Sequence, residues 1–176
     1  MTISRIDDMR DWTDYRDRIC YSAEQFLLRF PVKDKERLIS AIISNAFLNE
    51  DAPFEQLRAI HEEHSLATLG DYVLDYAIIA NYPVNETVTP QKINDFRERY
   101  GNNTTLHRYA RDCLHLQEYI LWGPDQRTKK IWDQESTCLL ADRFEMIIGE
   151  IYLEKGLDAV LDFLQTHRFF ERIDDL

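Results

Sequence analysis

The stretch HSLATLGDYVLDYAI, residues 64–78, has the apolar spacing of an amphipathic helix with a glycine in its middle. At about 100° per residue, one narrow stripe of this helix collects the residues expected to face a core, namely Leu66, Leu69, Val73, Ala77 and Ala80. Gly70 lies beside that stripe, although glycine costs a helix interior about 1 kcal/mol relative to alanine. We therefore expect Gly70 to let the backbone of another helix approach.

Asp71 lies outside the apolar stripe, about 140° around the helix from Leu66. The same sector holds His64, Ala67 and Asp75. Taken alone, this sector is open to two interpretations: solvated aspartates beside a packing glycine, or one wall of a functional site.

A second group of carboxylates occurs in LLADRFEMIIGEIYLEKG, residues 139–156. Asp142 and Glu145 are three residues apart and so adjacent on a helix, whose buried face is expected to contain Phe144, Ile147, Ile148 and Ile151. Gly149 follows one turn later and is expected to leave space beside the two acids. Because Mg²⁺ binds a few carboxylate oxygens and retains several waters, three acids on two helices would suit such an ion.

Apolar residues recur at intervals of three and four along most of the chain, which has only five glycines and five prolines. This pattern predicts an all-α fold. The expected helices span residues 9–29, 34–48, 53–61, 64–82, 89–100, 104–113, 115–121, 134–154 and 156–166. A break is expected at WGPDQRTKK, residues 122–130.

The 176 residues suffice for one domain with a substantial core, so residues 1–176 are predicted to form a single domain. No apolar run reaches the roughly 20 residues that a membrane span needs, and no signal segment is evident. Three scattered cysteines indicate neither a disulfide framework nor a zinc site, which favours a reducing cytoplasm. His61 and His64 lack the spacing of zinc proteases, and the histidines are interpreted as surface or hydrogen-bonded core residues.

The net charge of −11 excludes a protein that simply coats nucleic acid, but the charge is unevenly distributed. Residues 51–91 hold seven acids and one base, and residues 141–176 hold nine acids and four bases. These segments are either solvated helix faces or parts of one cation site. The best candidates for phosphate contacts are Arg127, Lys129 and Lys130, followed by RFPVKDKER at residues 29–37. Solubilising surface charge is the alternative for both.

Four segments in this order resemble the ribonuclease III catalytic domain over about residues 36–166. Two are LATLGDYVL (66–74), like the family signature that ends in Leu-Gly-Asp, and ADRFEMIIGEIYLEKGL (141–157), like its Ala-Asp-x-x-Glu helix. The other two are NNTTLHRYARDCLHLQEYILWG (102–123) and LISAIISNAFLNED (38–51), in which the usual Thr-His-x-Ser-Tyr is replaced. The resemblance implies the helical endonuclease-domain fold.

Carried over by position, the resemblance gives Asp71, Asp142 and Glu145 as three of the family's four metal-binding, catalytic acids. The fourth, usually a glutamate four residues before the Leu-Gly-Asp aspartate, is Ala67 here, and another common glutamate is replaced by His64. LATLGD is similar to the Leu-Ala-x-x-Gly-Asp of the compact Mini-III branch, whose members still cleave double-stranded RNA. His64, Ala67 and Gly149 are therefore expected to flank the site.

The resemblance further implies Mg²⁺- or Mn²⁺-dependent hydrolysis of double-stranded or structured RNA, giving 5′-phosphate ends and short 3′ overhangs. Such domains act as homodimers that place one site at each strand. Duplex RNA would be recognised by shape, phosphates and 2′ hydroxyls.

A separate double-stranded RNA-binding domain is not expected, because about ten residues follow the last matching helix. RNA affinity would then be weak or supplied by a protein partner. The alternative function is a catalytically inactive ribonuclease III-like RNA-binding or scaffold protein, which the replacement at Ala67 favours.

Overall fold

The computed structural model describes residue 17 and residues 33–50, 65–83, 85, 87–134, 136 and 138–176. Within these residues the regular elements are helices, and the only bridge is an isolated parallel one between Ile43 and Leu121. The α-helices are α1 (Lys35–Ile42), α2 (Asn45–Glu50), α3 (Ser65–Ala80), α4 (Pro90–Gly101), α5 (Asn103–Arg108), α6 (Pro124–Lys129), α7 (Leu139–Lys155), α8 (Leu157–Thr166) and α9 (Phe169–Asp174). The predicted all-α fold is confirmed.

Helix α7 lies at the centre, with α1, α3, α5 and α8 packed around it, and α3 shares the longest contact with it. Because α7 has neighbours on several sides, an unbroken run from Phe144 to Ile151 is buried. Helix α9 anchors this core by placing Phe169 against Tyr109 and Phe144, with ring centroids 4.9 and 6.1 Å away. Since Phe144 adjoins Glu145, the same core also positions an acidic residue.

Two predicted helices differ from those in the structure. The segment predicted at 34–48 is divided into α1 and α2, because Leu121 donates a backbone hydrogen bond to Ile42 (2.8 Å) and accepts one from Ser44 (3.0 Å). The Ser44 hydroxyl then accepts the Phe47 N–H at 3.2 Å, which is a typical way to begin a helix. The helix predicted at 115–121 is reduced to a 3₁₀ turn at Leu116–Glu118, preceded by the left-handed residue His115.

Other boundaries move by a few residues. The segment at 104–113 begins as α5 but ends in a π-helical turn, Tyr109–Cys113, and a 3₁₀ turn covers Ile131–Asp133. Helix α6 occupies part of the predicted break at 122–130, and α9 was not predicted. Apart from residue 17, the helices predicted at 9–29 and 53–61 lie outside the described residues. None of the described helices is long and apolar enough to cross a membrane.

Candidate active site

Helices α3 and α7 cross at two glycines. A Cβ atom on Gly70 would overlap the Glu145 carbonyl and lie 3.1 Å from the Gly149 nitrogen. A Cβ on Gly149 would lie 2.6 Å from the Leu66 carbonyl oxygen and 3.3 Å from the Gly70 nitrogen. The two backbones are therefore in direct contact, as predicted for Gly70. Gly149 serves the same crossing: the space beside it is filled by Leu66 rather than left open next to the carboxylates.

The α3 face in the crossing is slightly different from the predicted stripe. Leu66, Val73 and Ala77 are buried as expected, but Ala80 is exposed. Leu74 and Ile78 are buried instead, because the contact with α7 and α4 extends towards the Gly70 side of the helix. Asp71 lies at the edge of this buried face.

Asp71 is half-buried and lies one turn before Asp75. Asp75 accepts a hydrogen bond from Arg97 Nε of α4 at 2.6 Å, forming an ion pair. Burial and the Asp75 charge raise the pKa of Asp71, while the Arg97 guanidinium opposes this rise. This Asp75–Arg97 pair was not predicted, because no sequence spacing relates α3 to a residue on α4.

Glu145 is the most perturbed acid of the site. Its side chain is buried, with only 7% of the residue exposed. Burial, followed by the charges of Asp71, Asp142 and Asp75, raises the pKa of Glu145 from 4.5 to about 8. The pKa of Glu145 rises because desolvation and neighbouring negative charge both disfavour the carboxylate form. Asp71 and Glu145 therefore belong to one electrostatic unit across the helix crossing.

Asp142 lies one turn before Glu145, in the first turn of α7, and is exposed. Desolvation by the surrounding protein raises its pKa, and the adjacent Arg143 guanidinium opposes the rise. The Arg143 side chain points the other way, because its Nη1 donates to the Ser40 carbonyl of α1 at 3.0 Å. Of the three predicted acids, Glu145 is thus the one whose pKa is raised by the charges of both others, Asp71 and Asp142.

The donor chemistry fits a divalent cation. Carboxylate oxygens are the ligands that Mg²⁺ and Mn²⁺ favour, and a cation beside Glu145 would offset the repulsion that raises its pKa. In the part of the chain that the structure describes, however, no three acidic, histidine or cysteine side chains converge on one metal position. The described side chains by themselves would therefore provide only part of a coordination shell.

Two of the predicted flanking residues are described. Ala67 is half-buried on α3, one turn before Asp71, so a methyl group occupies the position at which the resemblance predicts a fourth acid. Gly149 lies in the helix crossing. His64 lies outside the described residues.

The predicted basic residues lie apart from this crossing in sequence and packing. Arg127 and Lys129 are exposed on α6, which packs on α2, and Lys130 follows at the helix end in a left-handed conformation with φ 44°. Lys129 pairs with Asp125 at 3.1 Å, one helical turn away. In the second basic segment, Arg37 is paired with acids, because it contacts Glu150 (2.9 Å), Asp34 (3.3 Å) and Glu154 (3.5 Å).

Glu150 forms a separate acidic centre on α7. It is 1% exposed, and burial outweighs the Arg37 guanidinium, so its pKa rises from 4.5 to about 7. The acids of residues 141–176 therefore have at least two roles. Glu145 interacts electrostatically with the aspartates of α3, whereas Glu150 and Glu154 form ion pairs with Arg37 of α1.

This chain is similar in sequence to ribonuclease III proteins. A family model described as Ribonuclease-III-like matches residues 34–172. Ribonuclease 3 of Protochlamydia amoebophila is 35% identical over 138 residues, covering 78% of this chain and 54% of that protein. Ribonuclease 3 of Listeria monocytogenes serotype 4b is 29% identical over 147 residues, covering 82% and 60%. The chain thus spans little more than half the length of these relatives.

Solved structures show the same fold. A nuclease domain of ribonuclease III from Campylobacter jejuni, described for structural flexibility in a region involved in dimer formation, superposes with a TM-score of 0.65 at 24% identity. The match covers 85% of this chain and 97% of that domain. A second structure of that nuclease domain gives a TM-score of 0.60 at 23% identity.

Proposed function

Because the chain belongs to the ribonuclease III-like family, we propose that it is an endoribonuclease that hydrolyses phosphodiester bonds in double-stranded or structured RNA with the help of divalent cations. The products would carry 5′ phosphates. The proposal is supported by the contact of Gly70 and Gly149, which joins the helix of Asp71 to that of the buried Glu145, and by the effect of the Asp71 charge on the raised pKa of Glu145. Perturbed carboxyls held by a rigid crossing are typical of catalytic sites.

Asp71, Glu145 and Asp142 would hold the cation, which is expected to be Mg²⁺ with Mn²⁺ as a substitute. When bound, the ion would polarise the scissile phosphate and make a bound water more acidic. The protein's part is positional: the backbone contact fixes Asp71 relative to Glu145, and the buried surroundings of Glu145 strengthen every charge interaction there.

We propose that the active form is a homodimer formed through the outer face of α3. Tyr72 and Tyr76 are 70% and 59% exposed, and Ile79 is 40% exposed. The three side chains lie on the face of α3 opposite to α7, and tyrosines of this kind are common at interface centres. The relative from Campylobacter jejuni is itself described in terms of a dimer-forming region. A two-fold dimer would suit the two strands of a duplex.

Arg127, Lys129 and Lys130 remain the candidates for RNA phosphate contacts, because all three are exposed. With a net charge of −11, the chain would have limited affinity for RNA by itself. We therefore propose that a protein partner supplies additional affinity for RNA. We also propose that the protein acts in the cytoplasm.

Ala67 favours a second candidate, a ribonuclease III-like RNA-binding or scaffold protein without activity, since one family acid is missing. The two candidates are separated by incubating the protein with long double-stranded RNA and, in parallel, single-stranded RNA of the same sequence. Mg²⁺-dependent shortening of the duplex, with 5′-phosphate ends, supports the endonuclease. Duplex binding without cleavage at any Mg²⁺ or Mn²⁺ concentration supports the scaffold.

A further inference from the structure

His107 is a wholly buried residue of α5 that joins two segments leading into the site helix. Its Nε2 lies 2.8 Å from the carbonyl oxygen of Trp132, in the 3₁₀ turn before α7. Its Nδ1 accepts the backbone N–H of Leu140, in the first turn of α7, at 3.4 Å. One imidazole ring therefore connects α5, this turn and α7.

The two partners determine which ring nitrogen carries the proton. The Trp132 carbonyl can only accept a hydrogen bond, so Nε2 must be the protonated nitrogen. The Leu140 N–H can only donate, so Nδ1 must present its lone pair. The geometry thus specifies the neutral imidazole with its proton on Nε2.

The start of α7 explains why such an acceptor matters. The residue at the N-cap is Cys138, which has the left-handed φ of 50° and lacks the side-chain oxygen with which serine, threonine or aspartate caps a helix. Leu140 is the second residue of the helix, and its N–H is one of those that normally donate a hydrogen bond to a capping side chain. His107 supplies that acceptor from a distant helix.

We propose that His107 is a positioning residue that sets the first turn of α7 and thereby the location of Asp142. The expected effect on metal binding rests on the proposed function, whereas the structural role of His107 does not. Glu145 is held independently by the crossing at Gly70. Asp142 is exposed, and its N–H donates to the Cys138 carbonyl (3.4 Å) in the same first turn of α7. Its location therefore depends on the turn that His107 caps.

Two amide substitutions separate the two hydrogen bonds. In His107→Asn, the side-chain oxygen can occupy the place of Nδ1 and accept from Leu140, but the amide is too short to reach Trp132. In His107→Gln, the terminal nitrogen can occupy the place of Nε2 and donate to Trp132, but Leu140 loses its acceptor. Since both variants bury one amide, they form a matched pair.

The test combines amide hydrogen exchange of Leu140 in metal-free protein with Mn²⁺ binding followed by electron paramagnetic resonance. For His107→Gln we expect Leu140 exchange about tenfold faster and Mn²⁺ affinity about tenfold weaker, with both close to the parent in His107→Asn. Equal effects in the two variants, or none in either, would overturn the proposal. If the parent binds no Mn²⁺, the proposed function fails, while the exchange result still decides whether His107 caps α7.

A measurement on the unsubstituted protein guards against variants that do not fold. Long-range ¹H–¹⁵N spectra of the His107 ring distinguish the two neutral tautomers. We expect a protonated Nε2 and a bare Nδ1; the opposite tautomer would overturn the proposal.

Discussion

Gly70 of α3 and Gly149 of α7 face each other so closely that a Cβ on either would lie within 3.3 Å of the other's backbone nitrogen. This contact joins the segments that carry Asp71 and Glu145. In a helix interior, glycine is otherwise unfavourable by about 1 kcal/mol relative to alanine. The two glycines thus allow the close helix approach that brings the two acids together.

Substitution of Gly70 by alanine is expected to destabilise the protein strongly. The new Cβ would overlap the Glu145 carbonyl, which belongs to a buried backbone and can move only if α3 and α7 separate. We expect a loss of about 2–4 kcal/mol in the free energy of unfolding, measured by urea denaturation. Gly101→Ala is the matched control, because its Cβ would meet only side-chain atoms, at 3.2 and 3.3 Å. An equal effect of both substitutions would contradict this account of the crossing.

The features predicted correctly depend on local spacing. Burial of Leu66, Val73 and Ala77 in α3, the close approach at Gly70 and the adjacency of Asp142 and Glu145 follow from helical geometry within one segment. The order of four motifs was sufficient to identify the family resemblance.

The features that were not predicted depend on contacts between segments that are far apart in the sequence. Burial of Glu145 results from the number of helices packed around α7, which periodicity cannot reveal. The break between α1 and α2 requires Leu121, far along the chain, to compete for backbone hydrogen bonds. The Asp75–Arg97 pair likewise requires the docking of α4 on α3.

Stability in the absence of metal is expected to fall as pH rises from about 4.5 to about 8. The folded protein binds a proton at Glu145 more tightly than the unfolded chain does, because burial and neighbouring acids raise the pKa of Glu145 to about 8. Its stabilising contribution is therefore complete below pH 4.5 and disappears as Glu145 ionises, with a slope of at most about 1.4 kcal/mol per pH unit. Glu150 adds a similar slope up to about pH 7.

Glu145→Gln tests this origin by denaturation in EDTA between pH 5 and pH 9. The variant should be more stable than the parent at pH 8.5. Its stability should also depend less on pH, with only the part of the dependence due to Glu150 remaining. Glu171→Gln, on the exposed side of α9, serves as the control and should keep the parent's slope. An unchanged slope in Glu145→Gln would show that Glu145 is not the responsible group.

Replacing Ala67 by glutamate should restore the missing acid. The new carboxylate would lie one turn before Asp71, and cation affinity increases with the number of charged ligands. We expect Ala67→Glu to bind Mn²⁺ about tenfold more tightly and to lose stability without metal, because it adds like charge. Ala67→Gln, of the same size but uncharged, should do neither. Comparable Mn²⁺ affinity in both variants would argue against a cation at this position.

The proposed dimer should be weakened by charge on the outer face of α3. Tyr72 is 70% exposed, so Tyr72→Glu can be introduced without disturbing the core. Sedimentation equilibrium should show a dimer dissociation constant at least about tenfold higher than the parent's. Leu153→Glu changes another exposed apolar residue, on α7, and should leave association unchanged. A parent protein that sediments as a monomer would refute the proposed interface.

Asp71 and Glu145, joined by the helix crossing, are proposed to form a cation-dependent site for RNA cleavage. The most direct measurement is the cleavage rate of long double-stranded RNA across a Mg²⁺ and Mn²⁺ titration, for the parent, Asp71→Asn and the exposed control Asp162→Asn. We expect cation-dependent cleavage by the parent and by Asp162→Asn, and a rate at least about 100-fold lower for Asp71→Asn. Failure of the folded parent to cleave at any cation concentration, or equal rates for the parent and Asp71→Asn, would contradict the claim.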